Sequence, residues 1–407
     1  MNFYGPRTTD HRPLYYLSVV CRLTSVVSSQ TAIQAPNSET MSLKIRFYCL
    51  KFSLFIVPLL IFQTLHAQKK EKPLVSKYDL SGLDKILEEK QSLIGKDYVV
   101  LIWKKDDTLT YKKEVGEYKS KTIAPIASCS KWLTAALVMQ FVDEGKISLD
   151  DPVVQYIPVF EKYMKKFVTI RHCLSHMTGI EDDDKFLKKI LQRKKFKSLD
   201  EEVEAFAAKE IRANAGTDFW YGNMGLNIAA KVLEVVSKRK FDVLIKQKLF
   251  TPIGMRQTTF TELDGGLYNP SGGARSTAED YMKFLVMLMN KGKYNGKQIL
   301  SEESVNEMMK IQTANVPKRY VPKAAEGFNY ALGSWVVEEG PLPSSPDGGR
   351  VATALASPGL FGTWPMIDFC RGYAYILFVK NYLGDERASA HLQIKQVIDE
   401  KITGECK

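Results

Sequence analysis

The chain has 407 residues, 45% of them hydrophobic and 25% charged, with a formal net charge of +11. That length and composition exclude a disordered or fibrous chain and leave room for one large domain or two, with no low-complexity tract or internal repeat. The basic excess lacks the aromatic–basic interleaving that grips nucleic acid, and it is compatible with a protein that works beside anionic cell-envelope polymers.

Residues 1–40 show neither periodicity nor a core pattern and read as an upstream extension outside the fold. From Met41, the basic residues Lys44, Arg46 and Lys51 lead into the apolar run Phe52–Phe62, followed by Leu65-His66-Ala67. A basic lead, a short apolar run and a small residue at the cut position have the layout of a secretory signal peptide over 41–67. The run falls short of the ~20 residues a membrane span requires, and Pro58 interrupts it; an uncleaved anchor is the alternative. The working protein is then 68–407. It keeps Cys129, Cys173, Cys370 and Cys406. An oxidising compartment permits disulfides between them, but their spacings define neither a framework nor a zinc site.

Along the mature chain, Leu80, Leu83, Ile86 and Leu87 recur at helical spacing and predict an N-terminal helix. Tyr98–Trp103 and Leu109–Val115 read as two strands joined by a turn at Asp106-Asp107. A helix over Lys131–Glu144 is stopped by Gly145 and is apolar nearly all round, which places it in the middle of the protein. From about 146 to 265 the pattern is mostly helix and loop. Thr363–Ile367 and Tyr373–Lys380 are strand-like, with a short turn around Arg371-Gly372, and a last helix runs over about Ala388–Thr403. Strands from both ends around a helical middle predict one sheet built from the N- and C-terminal segments. A mainly helical inserted subdomain would flank it, leaving a cleft at the junction.

The candidate chemistry begins at Ser128-Cys129-Ser130-Lys131, just ahead of the long apolar helix. One helical turn puts positions 128 and 131 on the same face, so the amine can reach the hydroxyl. The helix N-terminus adds free N–H groups and partial positive charge suited to a developing oxyanion. Farther on, Tyr221 and Asn223 project to the same side of an extended Trp220-Tyr221-Gly222-Asn223 segment. They offer either a proton shuttle and a hydrogen-bonding clamp, or a core aromatic and a cap for the helix that follows.

With these residues on the page, the chain resembles the serine β-lactamase and penicillin-binding protein group over about residues 97–382. The likeness is to its class C, DD-peptidase and esterase branch. Ile126-Ala127-Ser128-Cys129-Ser130-Lys131 is similar to the nucleophile motif. Leu174-Ser175-His176-Met177-Thr178-Gly179 is similar to a loop motif, Tyr221-Gly222-Asn223 to Y-x-N, and the stretch from Gly272 to Asp280 also follows the pattern. The resemblance implies an α/β (α+β) β-lactamase/transpeptidase-like fold, with an antiparallel sheet flanked by helices. It implies that Ser128 carries an acyl group, that Lys131 acts as its base in the neutral form, and that Tyr221 relays the proton to the leaving group. Asn223 would hold Lys131 and a substrate amide. The oxyanion would sit between the N–H groups of Ser128 and Leu360. No metal or organic cofactor is implied, and the partner is a small-molecule or peptide substrate.

The departure is in the third motif. Where the group has K-T-G or H-x-G, this chain has Ser357-Pro358-Gly359, so Gly359 is kept and the cation is replaced by Ser357. A serine offers a hydrogen bond but no charge to a substrate carboxylate. Ester or non-standard amide substrates therefore rank above β-lactams and D-Ala-D-Ala peptides. The other readings are a true class C-like β-lactamase and a non-hydrolytic binding protein that keeps the fold. His176 and His172 read as structural, Cys129 as a packed thiol, and the acidic Glu181–Asp184 run as the start of a helix. That helix has a basic face, from Lys188 to Lys197, which reads as solvated surface or as a contact with the anionic envelope.

Overall fold

The structure is a computed structural model that describes residues 78–105, 109–182, 196–260, 266–341, 350–379 and 387–404. The expected extension, the expected signal peptide, the Asp106-Asp107 turn, the helix expected around Phe186–Leu191 and Cys406 lie outside the described residues. All described residues belong to one unit, Leu74–Lys407. Its longer elements are α1 (Ser81–Glu89), β1 (Tyr98–Lys104), β2 (Leu109–Val115), α2 (Ser130–Asp143), α3 (Leu199–Ala207), α4 (Met224–Ser237) and α5 (Ala278–Met289). After them come β3 (Asn329–Tyr330), β4 (Trp335–Pro341), β5 (Arg350–Ala356), β6 (Trp364–Asp368), β7 (Tyr373–Val379) and α6 (Arg387–Lys401).

The seven strands form one sheet in the order β2-β1-β7-β6-β5-β4-β3, and every neighbouring pair is antiparallel. The N- and C-terminal segments meet at its centre, where Tyr98 pairs with Val379 and Lys104 with Tyr373. Both faces of these strands are covered, which is why they read as nearly unbroken apolar runs. Val99, Leu101, Ala374, Ile376 and Phe378 face the large core that holds α2, α4 and α5. Tyr98, Val100, Ile102, Tyr375, Leu377 and Val379 face a smaller core made with Leu83 and Leu87 of α1 and Ile394 and Ile398 of α6. The predicted two-ended sheet, the helical middle and the terminal helices are all present. The mixed α/β content and the antiparallel sheet flanked by helices match the fold class expected from the sequence.

Three strands of the sheet had no counterpart among the predicted elements: the two-residue β3 and its neighbours β4 and β5. β5 places Ala352, Ala354 and Ala356 in the sheet interior, and β4 carries Glu338, Glu339 and Gly340, all poor strand formers. They pair with each other through register shifts at Val336/Glu338 and Glu338/Glu339. Their place is set by neighbours rather than by their own propensity.

The α6 layer is fastened by a buried charge cluster. Lys395, 3% exposed, reaches Glu338, Asp368 and Asp399 at 2.7, 2.9 and 2.6 Å. Arg371 shares Asp368 at 2.8 Å, and the Tyr373 hydroxyl donates to Asp399 at 2.7 Å. Burial works against the Lys395 ammonium, but the surrounding carboxylates outweigh it and hold the group charged. Asp368 is fully buried, so removing its ammonium partner leaves a carboxylate with Arg371 alone. Lys395→Met is expected to lower unfolding stability by about 3–5 kcal/mol, measured by urea denaturation.

Candidate active site

Ala127–Cys129 form a short 3₁₀ turn that runs directly into α2. Ala127 adopts a left-handed φ of 45°, so the turn needs outside support. The Ser130 hydroxyl donates to the Ala127 carbonyl at 2.6 Å and accepts the Ala274 N–H at 3.0 Å. The Ile126 N–H donates to the Ala274 carbonyl at 3.0 Å, and the Tyr281 hydroxyl donates to the Cys129 carbonyl at 2.8 Å. Ala127, Cys129 and Ser130 are buried, while Ser128 between them keeps partial exposure. The Gly272–Asp280 stretch, visible in sequence only as a pattern, thus braces the turn that carries Ser128.

Lys131 has no solvent exposure at all. Its Nζ lies 3.1 Å from Ser128 Oγ, 3.1 Å from Asn223 Oδ1 and 2.9 Å from the Ser271 carbonyl. It also stands 4.9 Å from the centre of the Tyr221 ring. Of the two sequence readings of Asn223, capping of the following helix is not realised. Asn223 occupies the position before α4 without any side-chain cap bond, and its carboxamide oxygen serves Lys131 instead.

Tyr221 sits in a ring of aromatics, 4.7 Å from His176 and 5.0 Å from Trp335 between ring centres. Burial raises its phenol well above the ordinary tyrosine range, and a hydrogen bond with Ser128 pulls less strongly the other way. It is therefore a neutral phenol at physiological pH. His176 is 4% exposed, has a left-handed φ of 59°, and its Nε2 lies 3.1 Å from the Tyr330 hydroxyl. It packs against the tyrosine as a support. His172 accepts the Thr169 N–H at 3.2 Å and closes a helix cap. Cys129 and Cys173 are free and buried, and burial pushes both thiols up. Cys370 is disulfide-bonded.

The third motif lies just past the end of β5. Ser357 is 4% exposed, and its hydroxyl is 3.4 Å from the carbonyls of both Ser128 and Gly333. It is held among backbone oxygens beside Ser128. Gly359 is where the two walls touch: a Cβ there would stand 2.3 Å from the Ile126 carbonyl oxygen and 3.1 Å from Cys129 Sγ. The Gly359 N–H donates to the Thr363 carbonyl at 2.8 Å. Neither the Ser128 N–H nor the Leu360 N–H has a protein acceptor among the described residues.

Some supporting groups were not singled out in the sequence. Asn227, fully buried, accepts the Ser271 N–H at 3.0 Å and donates to Glu202 at 3.1 Å. The Thr134 hydroxyl donates to the Pro270 carbonyl at 2.6 Å. Together they fix the segment whose Ser271 carbonyl contacts Lys131. The available signal was Asn227 itself, an amide one helical turn after Asn223 in the apolar first turns of its helix.

Comparison with known proteins adds to this geometry. The beta-lactamase family model matches residues 96–398. Protein Rv1367c of Mycobacterium tuberculosis (strain ATCC 25618 / H37Rv) is 26% identical over 335 residues, covering 66% of this chain and 82% of that protein. A structure solved as that of a candidate beta-lactamase from Bacteroides dorei DSM 17855 superposes with a TM-score of 0.67 at 24% identity, covering 80% of this chain and 99% of the other. EstCE1, a hydrolase with promiscuous acyltransferase activity, superposes with a TM-score of 0.61 at 17% identity, covering 78% and 97%. At these identities the two structures speak for the fold.

The contact at Gly359 generates a direct test. Gly359→Ala forces the Ile126–Cys129 backbone and the third motif apart, at a cost of about 1–3 kcal/mol. A lowered thermal midpoint together with slower fluorophosphonate labelling of Ser128 is the expected result.

Proposed function

The chain belongs to the beta-lactamase family, and from that premise we propose that it is an exported serine hydrolase forming an acyl-enzyme on Ser128 with small ester or amide substrates. The family and fold support hydrolase chemistry in general; the substrate class, the residue roles and export are the proposal. The observation that carries it is the environment of Lys131. A neutral amine at that position donates to Asn223 Oδ1 and the Ser271 carbonyl and turns its lone pair to the Ser128 hydroxyl, all within 3.1 Å. Ser128 passes its proton to that nitrogen as Oγ attacks the substrate carbonyl. The Ser128 and Leu360 N–H groups receive the oxyanion. Tyr221, a neutral phenol in hydrogen-bond contact with Ser128, delivers a proton to the departing alkoxide or amine and recovers one through Lys131. Water then repeats the sequence on the acyl-enzyme, with Ser128 as leaving group.

Substrate preference follows from the third motif. Ser357 brings no charge to the cleft, and its hydroxyl is engaged with backbone carbonyls. A substrate that relies on a carboxylate–cation contact loses that contact here. Small esters and uncharged or unusual amides, including D-amino-acid amides, rank above β-lactams. EstCE1, whose fold this chain shares, is described by its acyl-transfer activity, which fits the same ranking.

Labelling of residues 68–407 with a fluorophosphonate and with a fluorescent penicillin tests this reading. Fluorophosphonate labelling is expected, lost in Ser128→Ala and slowed by orders of magnitude in Lys131→Ala. Strong penicillin labelling at Ser128 would move the protein to the penicillin-binding and β-lactamase side. Labelling by neither reagent would favour a binding protein, and turnover by Ser128→Ala would sink the mechanism. Export has its own test, the native N-terminus by mass spectrometry. A start at Gln68 is expected, and a peptide from residues 8–12 would rule out the upstream-extension reading.

A further inference from the structure

Among the described residues, Met164 and Phe167 are 78% and 72% exposed, well above the next large apolar side chain, Ile211, at 50%. Single exposed apolar residues are ordinary on protein surfaces. This pair differs in how it is held. The turn is anchored at both ends by the buried Phe160 and Val168. Inside it, the Met164 N–H donates to the Glu161 carbonyl at 3.0 Å and the Lys165 N–H to the Phe160 carbonyl at 2.8 Å. Lys165, 5% exposed, turns inward, and its ammonium donates to the Lys209 carbonyl at 2.6 Å. Met164 adopts a left-handed φ of 60°, a conformation that glycine or asparagine takes with less strain. The backbone is thus fixed in a shape that keeps a thioether and a phenyl ring in solvent.

The charges around the pair name a partner. Lys162 and Lys166 are exposed on either side, with their ammonium groups 5.4 Å from the Tyr163 ring centre and 5.2 Å from the Phe167 ring centre. Against these stands the exposed carboxylate of Glu161. Apolar tips ringed by lysines match the layered chemistry of a phospholipid surface, with acyl chains below and anionic headgroups above. No helix among the described residues is long and apolar enough to cross a membrane.

We propose that the rigid turn Tyr163–Phe167 docks the folded unit on an anionic phospholipid surface, with Met164 and Phe167 entering the headgroup–acyl boundary and Lys162 and Lys166 pairing with lipid phosphates. This docking is independent of the hydrolase reading.

The test uses residues 74–407, the unit that holds the whole sheet and both cores and omits the apolar 52–62 run; a cooperative thermal melt establishes that each variant is folded. Co-sedimentation is measured with vesicles of phosphatidylglycerol and phosphatidylethanolamine, and with vesicles of phosphatidylcholine alone. The expected result is binding to the first and little to the second. Met164→Ser with Phe167→Ser should weaken it about tenfold or more, and Lys162→Gln with Lys166→Gln about fivefold per lysine. The Phe167→Trp protein should show a blue-shifted indole emission with the anionic vesicles. No binding by the parent, equal binding to phosphatidylcholine, parent-like binding by both double variants, an unshifted emission from the Phe167→Trp protein, or lipid-free self-association lost in the Ser variants would each overturn the proposal.

Discussion

The organisation of this protein depends on one buried lysine nitrogen. Lys131 sits in the first turn of a helix whose residues 130–141 are all buried, with no contact to solvent. A cation, or even a neutral amine, in such a place is costly unless every polar hydrogen has an acceptor. Ser128, Asn223 and the Ser271 carbonyl supply its hydrogen-bond partners from three separate stretches of chain. The layers behind them follow from the same need. Asn227 and Glu202 hold the Ser271 segment, Ala274 holds the nucleophile turn, and the aromatic cluster fixes Tyr221 beside the amine.

The sheet serves this arrangement from the other side. Its central strands come from opposite ends of the chain, so the wall that carries Gly359 meets the Ser128 turn only when the whole domain is assembled. The close approach of Gly359 to Ile126 and Cys129 sets the third motif against the turn that leads into α2. The ionic cluster around Lys395 then fixes α6 against β4 and β6, bracing the sheet far from the chemistry.

Much of this was legible in the sequence, and for identifiable reasons. Ser128 and Lys131 are linked by the period of a single helix, so their contact is local information. The unbroken apolar runs of β1 and β7 predicted strands because branched and aromatic residues favour them. β4 and β5 were not legible, because an alternation of alanines and a Glu-Glu-Gly stretch carry no strand signal of their own. Asn223 was ambiguous in the same way. A residue before a helix is a natural cap, and only the position of Lys131 on another element decides that its side chain turns away from that duty.

The third motif marks the boundary most clearly. By resemblance, the sequence placed Ser357 where the family has a cation, with a glycine two residues later; it identified the fold and put Ser128 and Lys131 forward as nucleophile and base. Those are matters of residue type and short-range spacing. That the Ser357 hydroxyl faces the Ser128 and Gly333 carbonyls, that His176 supports Tyr221, and that Ser271 presents a backbone oxygen to Lys131 were decided by tertiary structure. Backbone carbonyls are the same in every residue, and which buried donor they meet depends on how distant segments pack.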